Sequence, residues 1–214
     1  MMRTVLVPPD NEMKSVDAKT ITFTLMMGVL GNALFAISYY VASPAPSIAF
    51  DFSLIAVFIA GYYGGPVTGF ISGLFVGIFP GVMFGPMGMS SWLGLFGLPF
   101  GKALTGLTTG ILSRGLRLGR RPYSSLITVP TTLLAYIPEC LFTYAYFAYL
   151  MPLFLGYGAA NVFIYVILPK AMFEVSIMSF LMATLIGNHG FNDFAGKFFT
   201  KPYVMPKLNS KKSD

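Results

Sequence analysis

The chain has 214 residues, 55% of them hydrophobic and only 10% charged, with a mean hydropathy of +0.71 and a formal net charge of +6. A soluble domain carries about 25% charged residues, so this composition excludes an ordinary soluble enzyme and indicates a polytopic membrane protein. Nucleic-acid binding is not what the positive charge serves, because the cations gather in short clusters beside apolar runs.

Residues 1–19 form a polar tail containing Arg3, Lys14 and Lys19. About 19 polar residues before an uncharged run longer than an h-region make a poor signal peptide, so the first apolar run is kept as a membrane helix. It is predicted over about Ile21 to Val41, followed by an outer loop, "SPAPS". A short second span, Ile48 to Tyr63, ends at "GYYGGP", where Gly-Gly-Pro stops one helix and starts another. The third span rises from Val67 to Phe84, with Pro80-Gly81 loosening its outer end. The segment "GPMGMSSWLGLFGLP" then leads to a fourth span, Phe100 to Ser113, that stops at the arginine-rich "SRGLRLGRRP". The fifth span, Ser124 to Leu155, contains Pro130, Pro138 and Pro152 and is expected to be kinked or split. The sixth, Ala160 to Ile186, carries Pro169. Broken helices of this kind tend to line cavities covered by protein.

The expected fold is therefore an all-α bundle of six transmembrane helices over residues 20–187. No ten-residue alternation of the kind a membrane barrel needs is present, and no internal repeat supports an inverted-repeat transporter. Residues 188–214, mixing aromatics with Lys197, Lys201, Lys207, Lys211 and Lys212, read as an interfacial segment and a polar end. The outer loops 43–48, 85–99 and 155–160 contain no Lys or Arg. By the positive-inside rule both tails and the loop with Arg114, Arg117, Arg120 and Arg121 lie in the cytoplasm of a multi-pass cell-membrane protein.

Ionisable groups at membrane depth are costly and usually face the bundle interior, which makes each a candidate for function. At about 1.5 Å rise per residue, Lys102 lies about 18 Å above Arg114, and Glu139 about 22 Å above Ser124. Lys170 is about 14 Å below the outer turn at Asn161, with Glu174 one turn deeper on the same face. Asp51 sits at the outer end of the second span. These depths converge on the outer half of the bundle, where a water-soluble ligand can be held. Purely structural roles stand beside this: Lys170 and Glu174 neutralising each other, Asp51 capping its helix, and a Lys102–Glu139 bridge. Trp92 is either an interfacial anchor or a stacking surface for a ring.

Other side chains carry less. Cys140, the single cysteine, allows no intramolecular disulfide and reads as a small buried apolar residue. His189, the single histidine, follows the last span with no metal-ligating neighbour, and Met83, Met87 and Met89 read as adaptable packing. No nucleophile–histidine–acid set can be assembled, so no enzymatic chemistry is expected. "GYYGGP" lacks the Lys-Ser/Thr ending of a phosphate-binding loop. No cofactor is implied, and energy for transport would come from a partner or an ion gradient.

With these features in place, the chain resembles the substrate-binding S component of energy-coupling factor transporters. The resemblance rests on Ala33–Ser38 with the proline-bearing loop after it, "FDFSLIAVFIAGYYGGPVTGFISGLFVGIFPG" and "PFGKALTGLTTGILSRGLR", and it covers about residues 20–187. It implies a six-helix protein that captures a vitamin-like micronutrient on its outer side and works with a transmembrane coupling subunit and a pair of cytoplasmic ATPases. Asp51, Trp92, Lys102, Glu139, Asn161, Lys170 and Glu174 are the candidate substrate-binding residues. The resemblance also implies a small-residue stripe on the first helix that docks against the coupling subunit. Gly28, Asn32 and Ala36 are its nearest match, with Gly31 and Ala33 as a second register and ordinary packing within the chain as the alternative. The other function class compatible with the sequence is a non-transporting accessory subunit of a larger membrane complex.

Overall fold

The structure is a computed structural model, and it describes residues 18–42, 50–88, 90–118, 123–156 and 161–199, without the side chains of 42, 161 and 162. The fold is all-α, with no strand among the described residues. Five helical segments are long and apolar enough to cross a membrane: Ala18–Val41, Leu54–Phe84, Ser91–Leu116, Ser124–Leu155 and Phe163–Gly187. Val29, Phe96, Leu126, Leu141 and Phe180 point outward from these helices, as side chains facing lipid do in a membrane bundle.

The second segment is folded back on itself. Helix α2, Leu54–Ile59, widens into a π-turn at Ala60–Gly64, and Gly65 then takes φ +82°, a left-handed conformation that a side chain would strain. Helix α3, Gly65–Val76, starts there with Pro66 in its first turn, where the missing N–H costs nothing. A Cβ added to Gly69 would come within 3.0 Å of the Gly61 Cα, so the two arms lie side by side. The descending arm, Leu54–Gly64, has eleven residues and rises roughly 16 Å, about half of a hydrocarbon core. It is shorter than the span expected from Ile48, because residues 50–53 form a turn ahead of Leu54; residues 43–49 lie outside the described set.

A joint at Gly77 separates α3 from α4, Ile78–Phe84. Its cause is Pro80, which lacks an N–H and whose ring disfavours a helical carbonyl four residues earlier. Asn32 of α1, Ala18–Ala42, bridges the joint: its Nδ2 donates to the Phe75 carbonyl at 2.9 Å, and its Oδ1 accepts from the Phe79 N–H at 3.0 Å. Nδ2 also donates to the carbonyl of Gly28, and a Cβ on Gly28 would press into Phe75 at 2.8 Å. Gly28 and Asn32 thus make their close contacts within the chain, while Ala36 is half-buried.

Helix α5, Ser91–Leu116, runs antiparallel to α3 in the most extensive helix contact of the molecule. It begins nine residues before the expected Phe100, passing through Pro99 without a break; Pro99 is accommodated because it packs on Gly77, where any Cβ would collide with its backbone. Ser124–Leu155 is also continuous rather than split, comprising α6, Ser124–Ala145, a π-turn at Tyr146–Leu150, and α7, Met151–Leu155. The wider turn falls immediately before Pro152, where a regular hydrogen-bond ladder would fail.

Helix α8, Asn161–Gly187, packs along α6. Asn188 then caps α9, His189–Gly196, by accepting from the Phe191 N–H. The segment after Gly187 is more than an interfacial stretch. Asn192 is buried, donates to the Ile186 carbonyl and accepts from the Tyr63 hydroxyl, while Phe198 and Phe199 stack against Phe23 of α1. This end of the bundle, near Arg114, is closed by a core in which Tyr62 and Tyr63 are fully buried. The opposite end is hollow.

Candidate ligand site

The hollow end holds a cavity of about 290 Å3 between α4, α5, α6 and α8. The sequence places an ionisable side chain on each of several segments around it. Lys102 of α5 is buried, and its Nζ donates to Asp51 Oδ2 at 2.5 Å and to Ser53 Oγ at 2.8 Å. Asp51 Oδ1 accepts from the Ser53 N–H and hydroxyl. The Asp51 N–H donates to Glu174 Oε1 at 3.0 Å, and Lys170 Nζ lies 3.2 Å from that oxygen. One network therefore ties the turn before α2 to α5 and α8. Asp51 precedes the second helix and does not cap it. Burial pushes its carboxyl up, but the Lys102 ammonium and the bonds from Ser53 outweigh burial and hold it below the usual carboxylate range.

Glu139 of α6 stands apart from this network. Its Oε2 accepts from the Thr105 hydroxyl at 2.5 Å. Among the described residues no cation lies within ion-pair distance, so the structural alternative of a Lys102–Glu139 bridge is not formed and Lys102 pairs with Asp51 instead. The reason is reach: Asp51 and Ser53 together supply Lys102 with two oxygens at hydrogen-bond distance, which satisfies most of a compact ammonium.

Asp51, Lys102, Glu139, Lys170 and Glu174 all line this one cavity. Trp92 does not; it is half-exposed in the first turn of α5, with its ring edge-on to Phe154. Asn161 begins α8, and its side chain lies outside the described residues. Met83 and Met87 are at the cavity, Met89 lies outside the described residues, and His189 is exposed at the closed end. Cys140 is half-buried rather than buried. Among the described residues no group of three His, Cys, Asp or Glu side chains is placed to hold a metal ion.

The residues that sequence reasoning missed are aromatic. Tyr136 and Phe142 of α6 and Tyr146 of the π-turn that follows it flank Glu139 on the cavity side, faced by Phe163 of α8 and Phe84 of α4. The Tyr146 hydroxyl is buried beside Ser90, near enough to interact with it but without a hydrogen bond of good geometry. A signal was present in the spacing: 136, 139, 143 and 146 recur every three or four residues, the period of one helix face, and that face is centred on a carboxylate.

Chemically, the arrangement can bind and desolvate a small polar molecule with a ring or other flat apolar part. Mostly apolar walls with a few converging polar groups are the ordinary composition of a small-molecule pocket. Compared with models of protein families, with curated proteins and with solved structures, the chain matches none.

Proposed function

We propose that this chain is the micronutrient-capturing membrane subunit of an ATP-driven uptake transporter of the energy-coupling factor type. The observation that carries the reading is the cavity: five ionisable side chains from four segments converge on a hollow end, opposite the end that carries the arginines. Charges at membrane depth that face a cavity mark ligand pathways more often than packing. In this reading the arginine end is cytoplasmic, the arms on either side of Gly65 count as two of six spans, and the cavity opens outward. Ligand enters from outside, and a transmembrane coupling subunit driven by paired ATPases releases it inward. The chain itself performs no covalent chemistry.

Two experiments test this. Protein purified from cells grown in rich medium is expected to carry a small molecule identifiable by mass spectrometry, or to bind one member of a vitamin panel. Persistently empty protein that binds none overturns the reading in favour of an accessory subunit. For the topology, a cysteine replacing Gly115 in a Cys140→Ser background should react with an impermeant thiol reagent only from the cytoplasmic face; labelling from outside reverses the assignment.

A further inference from the structure

The charges around the cavity do not balance. Two ammonium groups, Lys102 and Lys170, face three carboxylates, and each ammonium is already engaged with a carboxylate, Lys102 with Asp51 and Lys170 with Glu174. Glu139 is the carboxylate left over, held on one oxygen by the Thr105 hydroxyl and, among the described residues, with no cation at ion-pair distance. A guest filling the cavity takes this half-buried carboxylate out of water, where a charge is retained only if it is paired and hydrogen-bonded, so the unpaired Glu139 calls for a positive guest.

A second observation, independent of charge, indicates an occupant at the same place. The Tyr146 side chain lines the cavity two helical turns beyond Glu139, in a residue only 4% exposed, and its hydroxyl sits beside Ser90 without a hydrogen bond of good geometry. Buried hydroxyls are normally satisfied. Around these two groups the walls are ring faces and edges, Tyr136, Phe142 and Phe163 among them, and aromatic faces attract cations once water is excluded. The volume, about 290 Å3, is at the lower end of the roughly 300–1,000 Å3 usual for small-molecule pockets. That suits a molecule of one or two rings and is too little for a dinucleotide or a macrocycle.

Building on the function proposed above, we infer that the occupant of this cavity is a small organic cation, with Glu139 as its counter-ion and the Tyr146 hydroxyl as a further polar contact. The carboxylate sets the charge of the ligand, the rings of α6 and α8 contact its flat part, and the Asp51–Lys102 and Lys170–Glu174 pairs hold the wall in place without adding net charge.

The test is equilibrium binding to the full-length protein in lipid nanodiscs. One arm is a series on one pyridine ring in which charge changes with little change in size: 1-methylnicotinamide (cation), nicotinamide (neutral) and nicotinate (anion). Thiamine and biotin extend it to a larger cation and a larger anion, and any molecule found in the purified protein joins the panel. The expected result is that the tightest binder is a cation, at least tenfold ahead of the neutral and anionic members. Glu139→Gln should remove that preference, while Glu139→Asp, which keeps the charge, should retain it; unaltered thermal unfolding of the ligand-free variants shows that both are folded. The inference is overturned if an anion or a neutral molecule binds tightest, or if Glu139→Gln binds the cation as tightly as the native protein. If nothing binds and nothing co-purifies, the proposed function itself has failed and this inference falls with it.

Discussion

The α3–α5 seam and the α6–α8 wall share the bundle but are built on opposite principles. At the seam the helices touch backbone to backbone. A Cβ on Gly69 would lie 2.7 Å from the Gly106 carbonyl carbon, and one on Gly73 would lie 2.6 Å from the Ala103 Cα. Small residues at such spacing let helices approach closely where lipid provides no hydrophobic drive for association. On the other side, large rings and ionisable groups of α6 and α8 line a cavity of about 290 Å3 that the packing leaves unfilled. Helix α5 belongs to both regions: its glycine face closes the seam, and Lys102 and Thr105 turn to the cavity. The difference teaches a division of labour in which a sterically fixed half supports a half that has room for a guest.

The strongest challenge to this comparison is Lys102→Met. If the wall is held by ion pairs, removing one partner leaves the Asp51 carboxylate largely buried without its cation, a loss of about 3–5 kcal/mol in stability. Thermal and denaturant unfolding in mild detergent should show it, and Asp51→Leu combined with Lys102→Met should recover most of the loss. Equal stability of the single variant and the native protein would mean that packing, and not the Asp51–Lys102 pair, fixes this side.

The seam is tested by a pair of matched substitutions. Gly69→Ala inserts a methyl against the Gly106 backbone and should cost about 1–3 kcal/mol. Gly115→Ala meets nothing within 4 Å and should be neutral or stabilising by up to ~1 kcal/mol, because alanine is the better helix former. If both variants behave alike, the close approach of α3 and α5 is not what holds the seam. A smaller loss, about 1–2 kcal/mol, is expected for Asn32→Ala, which strips the hydrogen bonds that bridge the Pro80 joint. Unchanged stability there would return Asn32 to consideration as a contact for a partner helix.

Much of this division was legible in the sequence, and the reasons are physical. Lipid forces every ionisable side chain toward the interior, so counting residues along each helix was enough to bring Asp51, Lys102, Glu139, Lys170 and Glu174 to one level. The reversal at Gly64-Gly65-Pro66 was equally plain. The aromatic lining was not, because 16% of the residues are Phe, Trp or Tyr, and one ring among so many gives no contrast against lipid-facing rings. Pro99 misled as a helix start, since what lets it sit inside α5 is Gly77, a partner from another helix. In the sequence Asn32 reads as one position of a small-residue stripe; its role depends on Pro80, 48 positions away.

Tyr146→Phe has the smallest expected effect on stability and sharpens the comparison most finely, because it deletes one oxygen and keeps the ring. If the hydroxyl is only part of the wall, losing an unpartnered buried polar atom costs nothing, and the variant should unfold at the native temperature or slightly above it. If the hydroxyl meets a guest, ligand affinity should fall about three- to tenfold, on the order of a single net hydrogen bond. The two measurements are independent: ligand-free unfolding reports on the wall, and binding reports on the cavity. A variant that loses stability without ligand shows that Tyr146 is structural after all. One that keeps both its stability and its affinity removes this hydroxyl from the site and leaves Glu139 as the polar contact on α6.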